Sequence, residues 1–104
     1  MRSPATTKHI TAANRNKWDA SAKYHEQSDQ WSALKLGFAE KSYSVLDDIV
    51  SAALTSAGVD GAKLVQIGCN NGREILSTFS LGARRGLGLD QSQQFLQQAQ
   101  TLQA

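Results

Sequence analysis

The residues that could do chemistry lie around a glycine-bearing turn between two predicted elements. Residues 64–67 form a short, mostly apolar run, as in a strand buried on both faces of a parallel sheet, and helical spacing resumes at Arg73. Gly68 and Gly72 lie in the turn between them, where glycine lets backbone N–H groups approach a ligand closely. Asp90 follows the next predicted strand, where a carboxylate can accept hydrogen bonds from ribose hydroxyls. Together these features predict a site for an adenosine-type ligand.

The spacing of the glycines separates the candidate ligands. A dinucleotide fingerprint G-x-G-x-x-G that starts at Gly68 would need glycine at positions 70 and 73, which hold Asn70 and Arg73. The spacing therefore disfavours a nicotinamide or flavin dinucleotide. The segment instead resembles the first motif of class I S-adenosyl-L-methionine (SAM) dependent methyltransferases, a strand followed by G-x-G-x-G, with Asn70 in place of the middle glycine. Asparagine tolerates positive φ better than other side-chain-bearing residues, so we expect the turn to survive this change.

The resemblance extends on both sides of the turn. Residues 88–92 and the apolar stripe after them are similar to the family's second strand, its ribose-binding acid and its next helix. Upstream, Trp18 and Tyr24 resemble the N-terminal helix that covers the bound cofactor in many of these enzymes. The resemblance implies an α/β fold with an incomplete Rossmann-like parallel sheet and N-terminal helices, SAM as cofactor, and methyl transfer to a small-molecule acceptor. The cofactor-binding residues that it implies are Gly68, Cys69, Asn70, Asn71, Gly72, Asp90, Gln91 and Tyr24.

Several roles stay open at this level. Asn71 could contact the ligand or cap the helix that starts at Arg73. Tyr24 could be a lid over the pocket or a packing residue. We expect Cys69 to be a small buried residue rather than a nucleophile, because neither His9 nor His25 is positioned to activate it. No catalytic residue is assigned, since methyl transfer from a sulfonium depends mainly on in-line positioning.

Periodicity predicts the elements that must position these residues. The expected order is helix, helix, strand, helix, strand, helix, and its strand–helix–strand part predicts a parallel pair with Asp90 beside the turn. Gly58 is expected to end the second helix, and Ser92 to cap the last one. The predicted helices span residues 11–27, 39–57 and 73–81 and the stretch after Ser92, and the predicted strands span 64–67 and 86–89.

These elements suggest three parts of the chain. Residues 1–10 are expected to be a disordered arm, and residues 11–57 to supply helices that cover the cofactor site. Residues 58–104 are expected to be the first βαβα part of a SAM-binding domain, apparently truncated before its remaining strands and therefore incomplete as an enzyme on its own. The alternative is a non-catalytic truncated fragment or interaction module derived from a methyltransferase.

The composition of the chain limits the kinds of partner that we expect for it. A formal net charge of +2 on 104 residues is too small to indicate a nucleic-acid partner, and none is expected. No apolar run approaches the roughly 20 residues that span a bilayer, so no membrane partner is expected. The single cysteine agrees with a reducing compartment, and a cytoplasmic location is the default expectation. The two histidines form no metal-ligand spacing, so no metal is predicted, and the oligomeric state is left open.

Overall fold

A computed structural model of the chain describes residues 4–103, and it is a mixed α/β structure with one parallel strand pair. The two strands run side by side in the predicted direction, with Val65 opposite Leu87 and Ile67 opposite Leu89. The predicted parallel βαβ unit is therefore confirmed. The elements are α1 Pro4–His25, α2 Asp29–Phe38, α3 Asp48–Ala57, β1 Lys63–Ile67, α4 Arg73–Ser77 with a following 3-10 turn Thr78–Leu81, β2 Arg85–Leu89 and α5 Gln93–Gln103.

The predicted N-terminal arm is wrong over most of its length. Residues 1–3 lie outside the described part of the chain, but α1 begins at Pro4 rather than near residue 11. Proline is accepted in the first turn of a helix, where its missing N–H would have no intrahelical partner. Pro4 therefore marks the start of this helix and does not keep the segment irregular.

The helix predicted over residues 39–57 is also wrong in its first half, because α3 covers only residues 48–57, and the separate helix α2 precedes it at residues 29–38. Ser28 caps α2 by accepting the Trp31 N–H at its Oγ (3.4 Å), and Asp47 caps α3 by accepting the Val50 N–H at its Oδ1 (2.8 Å). Residues 39–47 between them are not helical. The C-terminal end of α3 was predicted correctly, since Gly58 has φ +94° and adopts the left-handed conformation there.

The apolar core lies between helices and not beneath the sheet. Trp31 and Leu34 of α2 pack with Leu102 of α5 into one buried cluster. Phe38 and Tyr43 pack against this cluster, with their rings edge to face at a centroid separation of 4.8 Å. The core therefore rests largely on α2, which was not predicted as a helix of its own.

The sheet was predicted to be buried on both faces, but only one face is covered. Its inner face is covered closely at the glycines of β2: a Cβ added at Gly86 would lie 3.0 Å from Ile75 Cγ1 of α4, and one at Gly88 would lie 2.7 Å from Cys69 Sγ of the turn. Its other face is largely exposed: Ile67 is 85% exposed and Val65 is 62% exposed. The apolar stripe predicted on α3 is likewise not buried, because no residue of this helix is buried and Ile49 is 82% exposed. No helix within residues 4–103 is both long and apolar enough to cross a membrane.

Candidate functional site

Backbone N–H groups of the turn after β1 donate hydrogen bonds to residues at the end of β2. The N–H groups of Gly68 and Cys69 both donate to Leu89 O, at 2.7 and 3.0 Å. The Asn70 N–H donates to Asp90 Oδ2 at 2.8 Å. The expected position of Asp90 beside the turn, at the carboxyl ends of both strands, is thus confirmed.

Asp90 also fixes the start of the last helix. Its Oδ1 accepts the Ser92 N–H at 2.9 Å, and Ser92 Oγ accepts the Phe95 N–H at 3.2 Å. The predicted N-cap role of Ser92 is therefore confirmed. One carboxylate consequently joins the turn after β1 to the first turn of α5.

The turn needs residues that accept a left-handed backbone. Gly68, Asn70 and Gly72 have φ values of +74°, +51° and +78°. The prediction that Asn70 can adopt the positive φ that the turn requires is confirmed. Gly72 is required for a second reason, because a Cβ there would lie 3.3 Å from Ala99 Cβ of α5.

A cavity of about 570 Å³ lies at this end of the sheet. Four of the predicted cofactor-binding residues line it, namely Gly68, Asn70, Asp90 and Gln91. A Cβ added at Gly68 would meet no atom within 4 Å, so the space beside this residue is open. The remaining lining is mainly apolar and consists of Trp18, Ile67 and Leu89. Of the helices in residues 11–57 that were expected to cover this site, only α1 contributes a lining residue, through Trp18.

Cys69 and Gly72 lie outside this cavity. They line a separate depression between α4, β2 and α5. Cys69 is only 1% exposed, and burial, followed by the nearby Asp90 carboxylate, raises the pKa of its thiol. A raised pKa favours the protonated, unreactive form of the thiol. The expectation that Cys69 is a small buried residue is confirmed.

Asn71 is a capping and packing residue. Its side chain is fully buried, and its Oδ1 accepts the Arg73 N–H at 3.4 Å. Its Nδ2 donates to Gln98 Oε1 at 3.4 Å. The capping role is confirmed, and Asn71 does not line the cavity beside Asp90.

Tyr24 is neither a lid over Asp90 nor a packed residue. Its side chain is 78% exposed, and it lines a different cavity of about 680 Å³ between α1, α4 and α5. Asn70 lines both cavities, so both border the turn.

Sequence reasoning missed the polar residues that hold α1 against the site. Ser92 Oγ donates to Asp19 Oδ1 at 2.5 Å. Gln98 Nε2 donates to Ala22 O at 2.8 Å, and the whole Gln98 side chain is buried. A signal was present for Gln98, because it lies three residues after Phe95 and four before Leu102 on the inward-facing side of α5.

Comparisons with known proteins identify neither a family nor a function for this chain, because no protein-family model, curated protein or solved structure matches it. The fold class therefore rests on the architecture itself: an α/β chain with a parallel βαβ unit and a cavity at the carboxyl ends of its strands.

Proposed function

We propose that this chain is the cofactor-binding part of a Rossmann-like, SAM-dependent methyltransferase. SAM binds in the cavity lined by Gly68, Asn70, Asp90 and Gln91, and methyl transfer proceeds to a small-molecule acceptor. The observation that carries the proposal is the Asp90 carboxylate, held across the turn by the Asn70 N–H at 2.8 Å and lining the cavity.

The Asp90 carboxylate retains acceptor capacity for a ribose. Each of its oxygens accepts one backbone N–H, from Asn70 and from Ser92. An ionised carboxylate offers about four lone-pair positions, so one position on each oxygen remains for a ribose hydroxyl. The two backbone bonds also fix the orientation of the carboxylate before a ligand arrives, which reduces the ordering cost of binding.

The hydrogen bonds of the turn favour SAM over a dinucleotide. A pyrophosphate is normally held by backbone N–H groups that point at the ligand. Here the N–H groups of Gly68, Cys69 and Asn70 are directed to Leu89 O and Asp90. A nucleoside without phosphate, such as SAM, does not require those donors.

The apolar lining suits the rest of a nucleoside. Trp18, Ile67 and Leu89 give the cavity apolar walls beside the polar Asp90 edge, a combination typical of small-molecule sites. Bound SAM would supply an electrophilic methyl group on a positively charged sulfur. The residues of this chain contribute binding and orientation, since methyl transfer depends mainly on proximity and alignment.

Titration calorimetry tests the proposal. We expect SAM and S-adenosylhomocysteine to bind more tightly than NAD. Asp90→Asn should weaken their binding by about 1.5–3 kcal/mol, because it removes charge-assisted acceptors for the ribose. Asp48→Asn is the matched control, since Asp48 lies in the first turn of α3 and does not line the cavity. Tighter binding of NAD than of either sulfur nucleoside would refute the proposal.

A second candidate is an interaction module without catalysis. It is favoured by the exposed apolar face of the sheet, where Val65, Ile67, Leu87 and Leu89 remain open to solvent. This candidate predicts no nucleoside binding in the same titrations. Measurable SAM binding that depends on Asp90 would therefore decide against it.

A further inference from the structure

The cavity between α1, α4 and α5 has a basic lining. Lys17 projects into it from α1 and Arg73 from the first turn of α4, and His25 of α1 lines it as well. None of the described residues that line this cavity is acidic. Its volume of about 680 Å³ is large enough for a small organic molecule.

Two nearby acidic side chains are engaged elsewhere. Asp19 accepts hydrogen bonds from Ser92 Oγ and from the Gln94 N–H, and Glu26 Oε1 accepts one from Gln98 Nε2. Both acids thus serve the contact between α1 and α5, and neither lines the basic cavity.

Glu74 neutralises Arg73 only in part. Arg73 Nε lies 3.7 Å from Glu74 Oε1, a long contact between two partly exposed side chains. A guanidinium carries five N–H donors in a planar fork, so this contact leaves most of its capacity for a second acceptor. The Glu74 side chain itself lines a different cavity, which lies between α3, β1 and α4 and is also lined by Gln66.

His25 independently indicates a missing polar partner. Its Nε2 is buried and has no hydrogen-bond partner among the described residues, an arrangement that costs free energy. Burial, followed by the charge of Arg73, lowers the pKa of the imidazole, against a smaller opposing effect of Glu26. A negative group in the cavity would offset the first two effects and offer the imidazole a partner.

We infer that this cavity binds an anionic group, a carboxylate or a phosphate, of the methyl acceptor, and that Lys17 and Arg73 hold it. The assignment to the acceptor rests on the proposed function. Asn70 lines both cavities, so an acceptor anchored by its anionic group would extend toward the cofactor cavity at the turn.

Inorganic phosphate is the first probe, added at constant pH and ionic strength while the histidine ring resonances are followed by NMR. We expect a saturable shift at His25 and none at His9, which lies about 24 Å further along α1 at 1.5 Å per residue. Lys17→Gln and Arg73→Gln should each weaken phosphate binding about five- to tenfold, as for the loss of one charge-assisted contact. Lys23→Gln is the matched control, because Lys23 is exposed on α1 and does not line the cavity.

A second titration separates the acceptor from the cofactor as the source of the anion. S-adenosylhomocysteine carries an amino-acid carboxylate, and 5′-methylthioadenosine lacks it. We expect Arg73→Gln to leave the affinity for both nucleosides unchanged, and Asp90→Asn to weaken both while phosphate binding persists. A loss of affinity for S-adenosylhomocysteine alone would place the cofactor's carboxylate in this cavity and overturn the acceptor assignment.

Two other outcomes of these titrations would each overturn part of the proposal. Equal, unsaturable shifts at both histidines would show that phosphate acts only through general ionic effects, which would overturn the anion site. Saturable phosphate binding at His25 without any nucleoside binding would remove the proposed function, and the acceptor assignment with it, while leaving an anion site in place.

Discussion

Two regions of this chain contrast in how their side chains are partnered. Where α1, α5 and the turn after β1 meet, Asn71 and Gln98 are almost completely buried and hydrogen-bonded to each other. On the open face of the sheet, Ile67 and Leu87 are 85% and 56% exposed. The polar side chains are thus inside and the apolar ones outside, which reverses the usual arrangement.

The contrast indicates what keeps the candidate site in place. Gln98 connects the turn to α1, because it accepts from Asn71 Nδ2 and donates to Ala22 O. Buried polar groups of this kind stabilise a unique arrangement only when all of them are satisfied. The exposed apolar face contributes less to the free energy of unfolding than a buried face would, because its side chains stay partly or mostly in water in the folded state.

Breaking the buried polar link should have the largest effect. Gln98→Met keeps the length of the side chain but leaves Asn71 Nδ2 and Ala22 O without these partners inside the protein. We expect the free energy of unfolding to fall by about 2–3 kcal/mol, measured by urea denaturation followed by circular dichroism.

Gln97→Met is the control for this substitution, because Gln97 is the exposed neighbour on the same helix. It should change the stability by less than about 0.5 kcal/mol. Similar losses in both variants would show that the helix surface, and not the buried link, is sensitive to methionine.

Removing the cap of α5 should have a smaller effect. Ser92→Ala removes the acceptor of the Phe95 N–H and the hydrogen bond to Asp19 that holds α1. We expect a loss of about 1–2 kcal/mol, typical of a strong N-cap, from the same urea measurement. Thr101→Ala on the exposed side of α5 should be nearly neutral, and a Ser92→Ala variant as stable as this control would contradict the assigned role.

The sequence allowed the βαβ unit and the position of Asp90 to be predicted because both follow from local signals. Short apolar runs, the glycines of the turn and the shortness of the connections leave one common topology for two adjacent strands. The positive φ of Asn70 (+51°) was also predictable, because tolerance of the left-handed conformation is a property of asparagine itself.

The burial of the elements could not be predicted in the same way. The apolar runs of β1 and α3 indicated buried faces, but burial depends on which other elements cover them, and Ile49 and Ile67 remain exposed. The helix α2 was missed although Trp31 and Leu34 have helical spacing, because Ser28 was not recognised as the N-cap of a new helix. Gln98 was missed because its residue type does not differ from that of its exposed glutamine neighbours, and only its spacing from Phe95 and Leu102 indicates the inward-facing side of α5.

The smallest stability effect is expected on the open face of the sheet. Leu87→Thr replaces an exposed apolar side chain with a β-branched polar one that suits a strand. The free energy of unfolding should fall by no more than about 1 kcal/mol in urea denaturation, because Leu87 is 56% exposed and only the remainder of its side chain leaves water on folding. Light scattering should show weaker self-association than in the parent chain, since the variant interrupts an exposed apolar patch on a strand pair with unpaired edges. A loss of more than about 1 kcal/mol would show instead that this face is covered in the folded protein, and the contrast between the two regions would then fail.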